Sequence, residues 1–122
     1  MDLLQLNQVS DSRYQDWHLD LDFEQRSARV DFQPVKLTRK EYELLEYLVR
    51  NAGDVVRTEV LLGQVFGYCP EAHTRTLHVH IRRLRQKLGL HRELYIETIF
   101  GVGYRFQPLR PARHPNEKVE LM

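Results

Sequence analysis

From Trp17 the chain alternates: apolar Trp17, Leu19, Leu21 and Phe23 are separated by His18, Asp20 and Asp22. A period of two is the signature of a half-buried strand. A second strand follows over residues 27–32, with Ala28, Val30 and Phe32 on one side. Gln33-Pro34 reads as a turn, because proline cannot donate to a ladder, and residues 35–37 as a short third strand. Three successive strands with tight turns imply a small antiparallel sheet. The polar stretch before them, with scattered leucines, reads as a lead-in or linker over residues 1–16.

At Thr38 the period changes. Thr38-Arg39-Lys40-Glu41 has the spacing of a capping box, in which Thr38 caps and Glu41 reaches back to the cap amide. Tyr42, Leu44, Leu45, Leu48 and Val49 then make one apolar helix stripe, ending near Asn51-Ala52-Gly53. Val55-Val56-Arg57 is an extended link. Thr58 is the expected cap of a second helix carrying Leu61, Leu62, Val65 and Phe66, which stops at Gly67. Residues 68–74 form a loop. Leu77, Ile81, Leu84 and Leu88 recur at i, i+4, i+7 and i+11, predicting a third helix over about residues 74–88 with Gly89 as its C-cap. Residues 95–106, YIETIFGVGYRF, read as two extended runs around Gly101-Val102-Gly103, a hairpin. Past Pro108 and Pro111 no period remains, and residues 109–122 are expected to be disordered.

Charge changes the picture at the third helix. The chain of 122 residues carries a net +1, yet residues 72–92 contain no acid and six positive side chains: Arg75, Arg82, Arg83, Arg85, Lys87 and Arg92. Everything outside that window sums to −5. Solvated helix faces ordinarily mix both signs for local pairing, so a face of one sign is the footprint of a polyanion binder. On a helical wheel the side opposite the leucine stripe carries Thr76, Val79, Arg83 and Gln86. Arg75 and Arg82 flank it on one edge, His80 and Lys87 on the other. Arginine can fork onto guanine O6 and N7, valine can meet a thymine methyl, and further arginines can hold phosphates.

Other chemistry is poorly supported. Cys69, His73, His78 and His80 do not have structural-zinc spacing, and residues i and i+2 point to different sides of a helix, so no metal and no cofactor are expected. Glu41 and Glu43 belong to a capped helix start, and no glycine-rich phosphate loop precedes a helix, so the chain does not read as an enzyme. No run approaches a membrane span, and the N-terminus lacks the basic-then-apolar pattern of a signal peptide. The lone Cys69 fits a reducing cytoplasm.

Taken together, the order of elements and their residues resemble the winged-helix DNA-binding domain of OmpR/PhoB-type response regulators. The resemblance rests on Leu19-Asp20-Leu21-Asp22 and Arg29-Val30 in the leading sheet, Leu37-Thr38 with Glu41-Tyr42-Glu43-Leu44-Leu45 in the first helix, and Arg57-Thr58 with Leu61-Leu62 in the second. It is strongest in Arg75-Thr76-Leu77 with Val79 through Leu88, and in Ile96-Glu97-Thr98 with Gly101 through Phe106. It spans residues 17–108, nearly all of the patterned chain. The fold class it implies is α+β: a winged helix-turn-helix with an N-terminal antiparallel sheet, four-stranded in the family although the period here marks three strands, then three helices, the third for recognition, and a C-terminal β-hairpin wing.

By wheel and resemblance, base contact is expected from Thr76, Val79 and Arg83, with His78 at the groove edge. Phosphate contact is expected from Arg75, His80, Arg82 and Arg85, with Thr98 and Tyr104 from the wing. Arg85 also lies close enough to the core stripe to serve as an intramolecular partner, and Tyr104 is equally placed to be a core residue. Phe100 stands where the family commonly has arginine; it can pack on a sugar, join a protein interface or complete the core. Phe66-Gly67 replaces the frequent Trp-Gly.

The implied function is sequence-specific binding of double-stranded DNA as the output domain of a two-component regulator. The alternative is a stand-alone winged helix that binds protein, or nucleic acid without base readout. The receiver domain that normally precedes the module is not in the sequence, and Met1 does not decide between a fragment and a whole protein. The resemblance also implies two copies side by side, head-to-tail on repeated half-sites. With no coiled-coil heptads or other dimer seam in the sequence, a monomer in solution that pairs on DNA is expected, with RNA polymerase as a candidate further partner.

Overall fold

The structure, a computed structural model, describes residues 10–67, 74–89 and 95–108. Four short strands, β1 (Arg13–Gln15), β2 (Leu19–Asp22), β3 (Ser27–Val30) and β4 (Gln33–Val35), form an antiparallel sheet in chain order. Helix α1 (Arg39–Arg50) follows, then β5 (Val55–Arg57), α2 (Thr58–Phe66) and α3 (Thr74–Lys87). The chain returns as a hairpin, β6 (Ile96–Ile99) and β7 (Gly103–Phe106), and β5 adds to it in the order β5-β7-β6. This is the winged-helix arrangement expected, with the lead sheet, three helices and wing in place.

One core unites these layers. Leu19 and Leu21 of β2, Leu44, Leu45 and Leu48 of α1, Leu61 of α2 and Phe106 of β7 are fully buried. The α3 stripe, Leu77, Ile81, Leu84 and Leu88, enters the same core at 1% exposure or less. Each such side chain contributes about 1.5–3 kcal/mol relative to exposure, which holds α3 against the body with its opposite face outward.

The first strand corrects the reading of residues 1–16 as linker. Tyr14 at the middle of β1 is completely buried and its ring meets Phe106 edge-on at 5.4 Å. Asp16 then gathers the chain: its carboxylate accepts from the amides of His18 and Leu19, both at 2.8 Å, and from the hydroxyls of Tyr14 and, at 2.7 Å, Tyr95. A three-residue strand with one apolar side chain has no period to detect. Residues 1–9 and the tail 109–122 lie outside the described residues, as do Cys69, His73 and Arg92.

Three further expectations shift. Trp17 precedes β2 and is 55% exposed, so the alternation continues into the turn without burying it. The β3–β4 turn falls at Asp31 and Phe32, both with positive φ (51° and 69°), leaving Phe32 exposed. Pro34 therefore sits within β4, opposite Arg29, where an edge strand tolerates a missing donor. Thr58 does not cap α2: Arg57 holds the cap position, and Thr58 Oγ1 instead donates to Val102 O at 3.3 Å.

Gly103 explains how the wing is fastened. It pairs with Arg57 of β5 and with Ile99 of β6. A Cβ there would lie 2.0 Å from Val56 O and 2.8 Å from Arg57 Cα, so the β5–β7 approach requires glycine. The turn glycine is Gly101, at φ 78°.

Candidate nucleic-acid interface

Helix α3 carries Arg75, Arg82, Arg83, Arg85 and Lys87 with no acidic residue, and its placement follows from its buried stripe. Opposite that stripe Arg75, His78, Arg82 and Arg83 are exposed, while Thr76 and Val79 are half-buried between them. Thr74, Arg75, His78, Val79 and Arg82 line a shallow hollow along the outer face, with the apolar Val79 among the cations. Among the described residues, Arg75, Arg82 and Arg83 form no salt bridge. Three guanidinium groups without an acidic partner make a standing positive field on one face.

The two edges of α3 differ. On one edge His80 lies against the Phe66 ring, with centroids 4.9 Å apart, and its Nδ1 is 2.8 Å from Thr76 O. A carbonyl can only accept, so Nδ1 carries the proton and Nε2 is the nitrogen left for an outside partner. On the other edge α3 faces the wing across an open cleft of about 710 Å³ lined in part by Thr74, His78, Arg82, Phe100 and Val102. Phe100 stands at the wing tip at 90% exposure, which excludes the core role for that side chain.

Two residues expected at phosphate are spent inside. Arg85 donates from Nε and Nη2 to Ile96 O (3.2 and 2.7 Å) and from Nη2 to Thr98 Oγ1 (2.7 Å), with its guanidinium 5.8 Å from the Tyr104 ring centroid. The intramolecular role is the one the structure gives it. Tyr104 is 5% exposed and faces His78 at 6.2 Å; burial raises its hydroxyl above the ordinary range of 10.0, and nearby Arg85 only partly offsets that. It packs as a core residue of the wing. Thr98 remains half-buried on the cleft side.

A link that the sequence did not suggest locks the far end of α3. Glu41 closes the capping box, accepting from Thr38 N at 2.9 Å while Thr38 Oγ1 accepts from Glu41 N at 3.2 Å. The same carboxylate oxygen accepts from Lys87 Nζ at 2.6 Å, joining α1 to the last turn of α3. Burial pushes the Glu41 carboxyl up, but the hydrogen bonds from Lys87 and Thr38 outweigh it and hold it below its ordinary 4.5. The helix is thus clamped at its C-terminal turn by Lys87 on one side and Arg85 on the other.

Residues 32–106 match the family described as "Transcriptional regulatory protein, C terminal". The chain belongs to this family. The winged-helix domain of OmpR/PhoB-type regulators is therefore the setting for the geometry above, and that family is not an enzyme class. A curated relative, the uncharacterized transcriptional regulatory protein YclJ of Bacillus subtilis (strain 168), is 45% identical over 82 residues, 66% of this chain and 36% of the relative. The chain thus spans little more than a third of that regulator's length. Among solved structures, the Thermotoga maritima response regulator DrrB, an OmpR/PhoB homolog, aligns with a TM-score of 0.72 at 30% identity, covering 80% of this chain and 45% of DrrB. The Klebsiella pneumoniae RstA DNA-binding domain, solved in complex with the RstA box, aligns with a TM-score of 0.71 at 26% identity, covering 80% of this chain and 98% of that domain.

No group of three or more His, Cys, Asp or Glu side chains is placed to hold a metal ion among the described residues. Nor is any described helix long and apolar enough to cross a membrane.

Proposed function

We propose that this chain is the DNA-binding output domain of a two-component response regulator, placing α3 in the major groove of a specific duplex and the wing on the adjacent backbone or minor groove. The observation that carries this reading is the outer face of α3, where unpaired Arg75, Arg82 and Arg83 surround Thr76 and Val79 on a helix clamped to the body. RstA, of like fold, is bound to its own DNA box, which supports the same docking here.

In this arrangement Arg83, Thr76 and Val79 read base edges, and His78 reaches the groove edge on the wing side. Arg75 and Arg82 hold phosphates, and His80 joins them where both its ring nitrogens carry protons, so that Nε2 can donate. Phosphate contacts set register, and base contacts carry the sequence. Thr98 meets the backbone from the wing, and Phe100 packs on a deoxyribose beyond the groove edge.

One helix and one wing read only a few base pairs, so two copies sit head-to-tail on repeated half-sites about one turn apart, roughly 10–11 bp. The chain is a monomer until DNA brings the copies together. It works in the cytoplasm behind a receiver domain, with RNA polymerase as the partner of the assembled pair. Selection of bound duplexes from a random pool tests the reading. Enrichment of a short motif repeated at that spacing is expected; a pool that shows no enriched motif contradicts it.

A further inference from the structure

Arg85 of α3 is half-buried against the wing, and its guanidinium bonds one wing strand while facing a ring of the other. Its bonds to Ile96 O and Thr98 Oγ1 grip β6, and the Tyr104 ring it faces belongs to β7, directly across from Thr98. Arginine has donors and no acceptor. At the 2.7 Å contact with Nη2, the Thr98 hydroxyl must therefore accept, and its own proton is turned away from Arg85. Thr98 lies in the cleft that also holds Arg82 and Phe100, so the side left to that proton is the one open to a ligand.

We propose that Arg85 is a positioning residue: it sets the wing at a fixed angle to α3 and fixes the Thr98 hydroxyl as an outward donor to a DNA phosphate. This rests on the DNA-binding reading above. It assigns to Thr98 the contact, and to Arg85 a role through Thr98 in place of a phosphate of its own. Planarity is what the task needs, because two atoms of one fork reach two acceptors at once. A lysine ammonium keeps the charge but not that geometry. The charge on Arg85 adds to the positive field of the cleft without being consumed by a phosphate.

The test is a double-mutant cycle with the full chain on a duplex selected by the wild type. Affinity is measured across a salt series for Arg85→Met, Thr98→Val and the double variant, with Arg82→Met as the comparator and thermal unfolding as the check on folding. Thr98→Val removes one charge-assisted contact and is expected to weaken binding about tenfold. Arg85→Met is expected to weaken it at least as much, and the double variant should be no weaker than Arg85→Met within about twofold. The salt slope should stay within about 0.5 of wild type for all three, whereas Arg82→Met should make it shallower by about one. A merely structural role for Arg85 would lower the melting temperature and leave the two losses additive, which overturns the proposal. So does a slope shallower by one in Arg85→Met with Thr98→Val unchanged, since Arg85 would then hold a phosphate itself. If Arg85→Met does not fold, Thr98→Ser decides: binding like wild type supports the donor, and binding as weak as Thr98→Val overturns it. A wild type that binds no duplex is a different failure, of the DNA-binding reading itself.

Discussion

Lys87→Met tests how the recognition helix is held. Lys87 Nζ lies 2.6 Å from a Glu41 carboxylate whose side chain is only 2% exposed, while the Lys87 side chain is 34% exposed. Removing one partner of a fully buried pair costs about 3–5 kcal/mol. Here the lysine is a third open to solvent, and Glu41 keeps its bond from the Thr38 amide, so screening lowers the loss to about 1–2 kcal/mol. Methionine retains most of the aliphatic stem, which leaves packing nearly unchanged.

For a domain of this size that loss lowers the melting temperature by roughly 4–16 °C. The sign with pH follows from Glu41, whose carboxyl is held below its ordinary 4.5. A depressed carboxyl contributes stability that is full above the unfolded value and is lost as pH falls through the folded one. Without Lys87 that depression shrinks. The gap between wild type and variant should therefore be widest near neutral pH and close as pH falls below about 4.5. Urea unfolding at a series of pH values measures both. Equal stabilities at neutral pH, or a gap that does not narrow in acid, would refute the reasoning.

Gly103→Ala should destabilise the chain by about 3 kcal/mol or more in urea unfolding, because the added Cβ meets backbone atoms of Val56 and Arg57 that cannot step aside. Gly101→Ala, with open space around its Cβ but φ at 78°, should cost only about 1 kcal/mol. On a selected duplex, Arg83→Ala should cost about 1–3 kcal/mol and relax preference at one base pair, whereas Arg82→Ala should weaken all duplexes alike; exchanged effects would mean the helix is rotated in the groove. Phe100→Ala should weaken binding of a single half-site without changing the salt slope, since an apolar contact on a sugar releases no counterion. A loss confined to paired half-sites would place Phe100 between proteins instead.

What the sequence disclosed follows from which interactions are local. The leucine stripe of α3 and the capping box at Thr38 and Glu41 are set by spacings of three, four and seven, and both occur where the spacing puts them. Strand β1 and the Asp16 hub escaped because a single tyrosine in three residues leaves no period, and Asp16 finds Tyr95 79 residues away. Pro34 misled for a related reason, since its tolerance in β4 depends on that strand being at the sheet edge. At the interface, the wheel found the exposed arginines because one face of a helix is a local property. It could not say that Arg85 would meet the wing or that Lys87 would meet Glu41, because those depend on which elements pack beside the helix.

The central claim, that the outer face of α3 reads a particular duplex, is tested most directly by affinity for a selected duplex and for unrelated DNA, both measured against salt. With Arg85 occupied by the wing and Arg83 on a base edge, Arg75 and Arg82 are the cations on phosphates, so the slope of log K against log salt should be about −2 rather than the −4 to −5 of about four to six phosphate contacts. The selected duplex should be preferred by roughly 10³ or more. Equal affinity for every duplex, or a slope near zero, would contradict it.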